Sequence, residues 1–202
     1  MGVAVQPHLV LASQSPRRRE LLAQLGLRVQ LCPADIEEGP KPGESAAAYA
    51  VRIALEKARA GERLSGSALP VLGADTDVVI DGEILGKPAS REHGIAMLLR
   101  LADRSHEVYS AVALGQNGRW LSRLSITEVH FGPISAAQAA AYWASGEPAD
   151  KAGGYGIQGL GAGFVREIRG SYSGVVGLPL YETCELMREF GIEVPLSDSA
   201  KP

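Results

Sequence analysis

At 202 residues the chain has room for one α/β unit, in one or two lobes, and too little for two generous domains. Its 46% hydrophobic and 21% charged residues are ordinary for a globular protein, which excludes a disordered, collagen-like or disulfide-dense chain. With 20 basic against 23 acidic side chains the net charge is −3, so no global field recruits nucleic acid or anionic membrane and any grip on a polyanion has to be local.

In chain order, the apolar run Leu9–Ala12 reads as a buried strand, followed by a Ser/Pro loop. Arg17–Leu25 reads as a helix with Ser15 at the N-cap, Pro16 at the first helical position and Gly26 as the stop. Val29–Cys32 is a short second strand, and Glu37–Gly43 a loop rich in Pro and Gly. A longer helix is expected from Ser45 to Ala60, then a buried strand over Pro70–Ala74 and a hairpin from Asp77 to Leu85 around Asp81-Gly82. Ser90 caps a helix to Leu101, and His106–Leu114 and Trp120–Val129 form two antiparallel strands joined at Asn117-Gly118. Ser135 with Gln138 makes a capping box for a helix to Ala144. Beyond a Gly-rich loop come strands at Phe164–Ile168 and Gly174–Val176, then a last helix from Pro179 to Phe190 stopped by Gly191. The tail from Ser197 is polar and expected to fray. Helices and strands mix without strict βαβ alternation, which favours a mixed central β-sheet flanked by helices over a doubly wound parallel one.

Several chemistries are excluded by pattern. Cys32 and Cys184 form no CxxC pair, and the four histidines form no cluster with them, so neither a disulfide scaffold nor zinc is expected. The N-terminus lacks a basic region with an apolar run, and no later segment is long and apolar enough to span a bilayer; a cytoplasmic protein is the default expectation. No GxxxxGK[ST] is present, and Gly154–Gly159 matches GxGxxG in spacing but lacks the strand before and the helix after that a dinucleotide fold needs. Asp75, Asp77 and Asp81 resemble a calcium loop only in part, because Val79 stands where a ligand should be and Val78–Ile80 favours a strand.

Other residues carry a chemical signal. Arg17, Arg18 and Arg19 open a helix, where cations oppose the positive end of the dipole unless an anion docks with them. Arg17 and Arg18 read as anion ligands, with a solvated patch as the alternative, while Arg19 reads as solvated. Lys57 lies on the apolar stripe with Ala46, Ala50, Ile53 and Ala54, so it either snorkels outward or reaches an internal anion. Asp75 stands at the carboxyl end of an apolar strand, where it can bind Mg²⁺, act as a general base or simply form a turn. Lys87 sits between turn residues at the hairpin exit and says little alone. The run from Gly154 to Gly159 can bring backbone and Gln158 against a flat ligand.

Jointly these segments resemble the Maf family of nucleoside-triphosphate pyrophosphatases. The residues that carry the likeness are Ser13 and Ser15–Arg18, Glu20-Leu-Leu, Glu38, Glu44-Ser45, Tyr49, Arg52, Lys57-Ala58, Gly73–Thr76 and Gly86–Pro88. The C-terminal half adds Ser145–Pro148, Asp150–Gly153, Tyr155–Gly159, Gly170–Tyr172 and Val175–Pro179, so the likeness runs from about Leu9 to Ile192. It implies one Maf-like domain over residues 1–202, with its core at 7–195. The implied fold is a mixed α/β one related to inosine-triphosphate pyrophosphatases, with a cleft between two lobes. The implied reaction releases pyrophosphate and a nucleoside monophosphate with a divalent metal, Mg²⁺ first and Mn²⁺ as the alternative.

Within the family the branch acting on dTTP and UTP matches best, through Arg17, Thr76 and Gln158 as specificity positions and Asp75 as the proposed base. Ser13, Arg18, Glu38, Lys57 and Lys87 match further pocket positions. On that likeness Glu38 and Asp75 hold the metal, while Arg17, Arg18, Lys57 and Lys87 surround the triphosphate. One departure is Asp77, where the family pattern continues with an apolar residue; on one extended strand with Asp75 it is expected to point away from the face that Asp75 uses. Expected partners are a nucleoside triphosphate substrate, no nucleic acid and no membrane, with a homodimer left open. The alternatives are the same chemistry on modified or purine nucleotides such as 7-methyl-GTP, or a nucleotide-sensing regulator of cell division.

Overall fold

The computed structural model describes residues 6–194, so the expected fraying from Ser197 and the outer limits of the expected domain lie outside the described residues. Seven strands form one mixed sheet in the order β2-β1-β3-β5-β6-β7, with β4 also on β3. They are β1 (Leu9–Leu11), β2 (Val29–Leu31), β3 (Val71–Ile80), β4 (Glu83–Leu85), β5 (Ser105–Gln116), β6 (Arg119–Phe131) and β7 (Val165–Arg169). The helices are α1 (Pro16–Gln24), α2 (Ala46–Ser65), α3 (Arg91–Leu101), α4 (Ala136–Ala144), α5 (Tyr172–Val176) and α6 (Leu180–Glu189). β1 is parallel to β2 and β3, and the remaining pairs are antiparallel, so the expected mixed sheet is the one found. No described helix is long and apolar enough to cross a membrane.

The capping signals work as read: Ser45 accepts from Ala48 N–H, Ser90 from His93 N–H, and Ser135 and Gln138 close a reciprocal capping box. Ser15 does take the N-cap position of α1, but its side chain makes no capping bond; Ser13 Oγ accepts the Ser15 amide instead, at 3.2 Å. Helix α2 outruns its expected end at Ala60 and stops at Gly66. Gly61 belongs to its packing face, where a Cβ would lie 2.6 Å from that of Ala12, so here glycine allows close approach and does not end the helix.

Two expectations fail in instructive ways. The strand Pro70–Ala74 and the first arm of the Asp81-Gly82 hairpin are one continuous ten-residue strand, β3. Gly174–Val176 belongs to a short helix, α5, because Ser171 accepts the Gly174 amide at 3.0 Å and starts a helical turn that the valines then continue.

Strand β3 sets up the site. On one side β5 pairs with it from Val71 to Val79. On the other, β1 pairs only with Val71 and Leu72, and β4 only with Val78–Ile80. Gly73–Asp77 therefore has an open edge, a gap in the sheet between β1 and β4. On one face of the sheet two apolar cores flank that gap. The first gathers Leu9, Leu11, Leu22, Leu72, Leu114, Leu178 and Leu186, and the second gathers Val78, Leu98, Leu101, Val108, Phe131 and Tyr155. Between them runs a hydroxyl belt: Thr76 on β3 stands opposite Ser110 on β5, which stands opposite Ser125 on β6. Helix α5 covers the belt, with Ser110 Oγ donating to Gly174 C=O at 2.6 Å. The other face carries α2, packed through Ala50, Ala54 and Ala58 onto Ala111 and Ala113.

Candidate functional site

The residues facing the gap are delivered by strand alternation. Successive side chains of β3 point to opposite faces, so Thr76 joins the hydroxyl belt while Asp75 and Asp77 both turn toward α2. Asp77 thus shares a face with Asp75, contrary to expectation, because residues two apart on a strand lie on the same side. Both carboxylates are buried. Burial first, then the adjoining Asp75 charge and a hydrogen bond to Asp75, push the Asp77 carboxyl well above the usual carboxylate range.

Lys57 reaches down from α2 onto this pair. Its ammonium donates to Asp75 Oδ1 at 2.7 Å and pairs with Glu38 Oε1 at 3.0 Å. The alternatives of snorkelling or meeting an internal anion are settled: Lys57 is buried and bonded to two acids. Asp75 Oδ2 and Asp77 Oδ2 are buried with no hydrogen-bond partner, two carboxyl oxygens left for something else to satisfy. Tyr49, one helical face up from Lys57, has its hydroxyl held protonated by burial first and then by Asp77, Asp75 and Glu38.

Glu38 comes from the loop between β2 and α2. That loop is tied to α2 by Arg52, whose Nε and Nη2 donate to the two Glu44 oxygens at 2.6 and 2.7 Å, and whose Nη2 also donates to Gly39 C=O at 2.9 Å. On the opposite side of β3, Arg18 is a bracket. It donates to Ser13 Oγ at 3.1 Å, to Thr76 Oγ1 at 3.3 Å and to Gly177 C=O at 2.9 Å, joining the β1–α1 loop, β3 and the turn after α5. Burial pulls its guanidinium below the ordinary range; Asp75 opposes that, and Arg17 adds to it. Charges on Arg17, Asp75, Glu38 and Asp77 are thus all felt at one point.

The expected residues fall into three groups. Glu38, Lys57 and Asp75 form one bonded cluster, and Ser13, Arg18 and Thr76 form a second beside it. Arg17 lies near Arg18 and depresses the Asp150 carboxyl, after the Lys151 hydrogen bond that chiefly does so, which places it between the basic segment and the Gly-rich loop. Lys87 and Gln158 are exposed on separate loops and make no hydrogen bond to either cluster among the described residues. Arg19 is exposed, as expected. Lys87 keeps an indirect tie to the Gly-rich loop, since Gly153 N–H donates to Gly86 C=O at 3.1 Å.

Three structural roles were not assigned from the sequence. Asp77 was open to discovery through strand phase alone. The bracket from Arg18 to Gly177 C=O has no sequence signal, because it spans 159 positions. Glu147 is the third: its carboxylate accepts from Tyr142 Oη at 2.7 Å and from the amides of Leu160 and Gly161 at 2.7 and 3.1 Å. Among the described residues no three His, Cys, Asp or Glu side chains form a ready-made metal cluster. The orphaned oxygens of Asp75 and Asp77 nevertheless fit a hard, oxygen-seeking cation.

The family model described as Maf-like protein matches residues 8–190, nearly the whole chain. The chain belongs to the Maf family. Its relatives include proteins named dTTP/UTP pyrophosphatase from three bacteria. That of Saccharophagus degradans is 54% identical over 96% of this chain and 93% of its own. That of Methylococcus capsulatus is 50% identical over 91% of each chain. That of Escherichia coli K12 is 53% identical over 90% of this chain and 92% of its own. Among solved structures, a nucleoside-triphosphatase/dITP/XTP pyrophosphatase from Mycobacterium abscessus overlays with a TM-score of 0.43 at 19% identity, covering 91% of this chain and 93% of that one. The Staphylococcus aureus Ham1 protein does so at 0.44 and 13%, covering 90% and 96%. Likenesses this loose bear on no residue's role.

Proposed function

We propose that this Maf protein hydrolyses dTTP and UTP to the nucleoside monophosphate and pyrophosphate at the open edge of β3. The observation that carries the reading is the buried Lys57–Asp75 pair, with Asp75 Oδ2 unpartnered beside the Arg17–Arg18 cations. A buried acid with one oxygen anchored and the other free is suited to take a proton from water. Asp75 Oδ2 takes that proton as the water oxygen bonds to the α-phosphorus. The bond from that phosphorus to the bridging oxygen breaks, and pyrophosphate leaves with the electron pair.

Lys57 holds Asp75 in place. Ser13 and Arg17 meet the phosphates, with Lys87 closing from the β4–α3 loop, while Arg18 shapes the segment that Ser13 and Arg17 occupy. Preorganised cations of this kind are the main service a protein gives phosphoryl or nucleotidyl transfer. Glu38 and Asp75 would hold a divalent cation, Mg²⁺ or Mn²⁺, directly or through water, which when bound neutralises charge on the phosphates. Asp77 adds a further buried carboxyl oxygen to that neighbourhood. Gln158 offers a donor and an acceptor to the edge of a pyrimidine, with Thr76 and Arg17 bounding the pocket.

Product analysis tests the proposal. Incubation with Mg²⁺ and dTTP, UTP, CTP, inosine triphosphate or 7-methyl-GTP is expected to yield monophosphate and pyrophosphate fastest from dTTP and UTP. Faster turnover of a purine triphosphate overturns the pyrimidine assignment, and release of inorganic phosphate alone overturns the cleavage site.

A further inference from the structure

We infer that Glu147 is a positioning residue for substrate selection: with Tyr142 it fixes the turn that carries Gln158. The inference rests on the reading above, in which Gln158 meets the base. Gln158 is exposed and makes no side-chain hydrogen bond among the described residues, so its aim is set by its backbone. That backbone is clamped on both sides by one polar hub. Before the turn, the Gly156 amide donates to Tyr142 Oη at 3.0 Å. After it, the Leu160 amide donates to Glu147 Oε2 at 2.7 Å and the Gly161 amide to Oε1 at 3.1 Å. Tyr142 Oη donates to the same Oε1 at 2.7 Å, which closes the hub on itself.

The hub is anchored away from the turn. Tyr142 is buried in α4, whose start is held by the Ser135–Gln138 capping box. The Glu147 backbone is pinned too, its amide donating to Ser145 Oγ at 3.2 Å and its carbonyl accepting from Lys151 Nζ at 2.6 Å. Partial burial works to raise the Glu147 carboxyl, yet the Tyr142 hydroxyl and the two amides outweigh it and hold the group below its ordinary range. It is therefore an ionised acceptor at neutral pH. The packing leaves no slack: a Cβ at Gly161 would lie 2.6 Å from both Gly156 C=O and Tyr142 Oη, and one at Gly159 would collide with the Glu147 carboxylate.

Only an acceptor-only group fits this hub. A carboxylate offers both oxygens as acceptors to three donors, whereas the amide of glutamine has one acceptor oxygen and turns an NH₂ toward the others. Glu147→Gln preserves shape and sets a donor against a donor, so the Gln158 turn shifts while the bulk of the fold stays. Glu147 makes no hydrogen bond to the Lys57–Asp75 cluster among the described residues, so its loss is directed at recognition of the base, and the chemical step is left to that cluster.

The test is a comparison of kcat and KM for dTTP and inosine triphosphate, with Mg²⁺, in wild type, Glu147→Gln, Gln158→Ala and the double variant. Glu147→Gln is expected to raise KM for dTTP about 10-fold with a change in kcat of less than about 3-fold, the signature of lost recognition. The dTTP/inosine-triphosphate ratio of kcat/KM falls by a similar factor, and the double variant is no worse than Gln158→Ala, since both changes remove one interaction. Hydrogen exchange is expected to speed up at the Leu160 and Gly161 amides and to remain slow along β5. An unchanged ratio, or additive losses, overturns the proposal by making Glu147 a general stabiliser. If wild type turns over neither dTTP nor UTP, the functional reading itself falls and takes this one with it. Should Glu147→Gln fail to fold, Tyr142→Phe removes the hydroxyl from the same hub and must lower the same ratio.

Discussion

Two loops bring side chains to the open edge of β3, and they are held by different physics. The loop from β2 to α2, which carries Glu38, is fastened from outside. Arg52 grips both oxygens of Glu44 and the Gly39 carbonyl in a half-buried ion pair, and the Glu44 carboxyl is held down to about 2, by that Arg52 hydrogen bond first and the Lys41 amide next. The Gly-rich loop after α4, which carries Gln158, is fastened from inside. Tyr155 lies in the aromatic core against Phe131 and His106, hydrogen-bonded to His106 at 2.8 Å, and the Glu147–Tyr142 hub holds the next turn. A clamp made by one ion pair tolerates small motions of the loop it holds, because Coulomb attraction varies gently with distance. A half-buried hub in which several hydrogen bonds share one carboxylate tolerates less, because losing one partner strands the others. The first loop therefore suits a residue that must meet a lysine, a metal and a moving phosphate. The second suits a residue that must distinguish one base edge from another.

The largest expected effect sets the scale for both. Asp75→Asn removes the proposed proton acceptor and leaves both loops in place. Loss of a general base costs on the order of 10³-fold, so kcat is expected to fall by about that factor. Affinity for dTTP without divalent metal, measured by calorimetry, is expected to stay within about 3-fold, because the acid contributes to the chemical step and not to recognition of the base. Near-normal kcat in a folded Asp75→Asn protein removes Asp75 from the reaction and leaves Glu38 as the acid to examine.

Acid separates the two fastenings. His106 is pulled down to about 4, by burial first and by His130 second, from an ordinary value of 6.5. A base with a depressed folded value contributes its full stability above pH 6.5 and loses it as pH falls toward 4, because protonation then favours the unfolded chain. At about 1.4 kcal/mol per unit the loss is roughly 3 kcal/mol. Glu44 behaves as a depressed acid: its contribution is present above pH 4.5 and is lost only as pH falls toward 2. Between pH 6.5 and 4 the Gly-rich loop and the aromatic core beneath it should therefore weaken first, with the Glu38 loop still fastened. Denaturant titrations across that range check this, and His106→Gln, which keeps a partner for Tyr155, is expected to flatten the acid slope. An identical slope in the variant assigns the acid loss to other groups.

What could be read in advance follows the same division. Strands, capped helices and the Asn117-Gly118 hairpin were legible because alternation, caps and turn residues are local. The unity of β3 was not, since Asp75, Thr76 and Asp77 interrupt its apolar run where its edge lies open to the gap. Those polar residues broke the pattern because that stretch faces a site. Val175-Val176 suggested a strand by β-branching, and a serine cap at Ser171 decided otherwise. Lys57 was visible as a cation on an apolar stripe, but nothing local said that its partners were Asp75 and Glu38. Glu147 stood within the Ser145–Pro148 motif, but its role gave no sign, because that role depends on amides 13 and 14 residues further on.

The smallest expected effect tests the outer fastening directly. Arg52 touches neither Asp75 nor Lys57 among the described residues; it acts on the site only by holding the loop that delivers Glu38. Arg52→Ala removes a half-buried, bidentate ion pair and is expected to lower unfolding stability by less than the acid loss at His106 does, and that difference should shrink at high salt. Looser placement of Glu38 is expected to cost about 5-fold in kcat, with KM for dTTP and the dTTP/inosine-triphosphate ratio within about 2-fold of wild type. Glu147→Gln should show the opposite split, a changed ratio with a nearly preserved kcat. If Arg52→Ala shifts the ratio as Glu147→Gln does, the two loops are coupled, and the division between an outer clamp serving the chemistry and an inner hub serving the base is wrong.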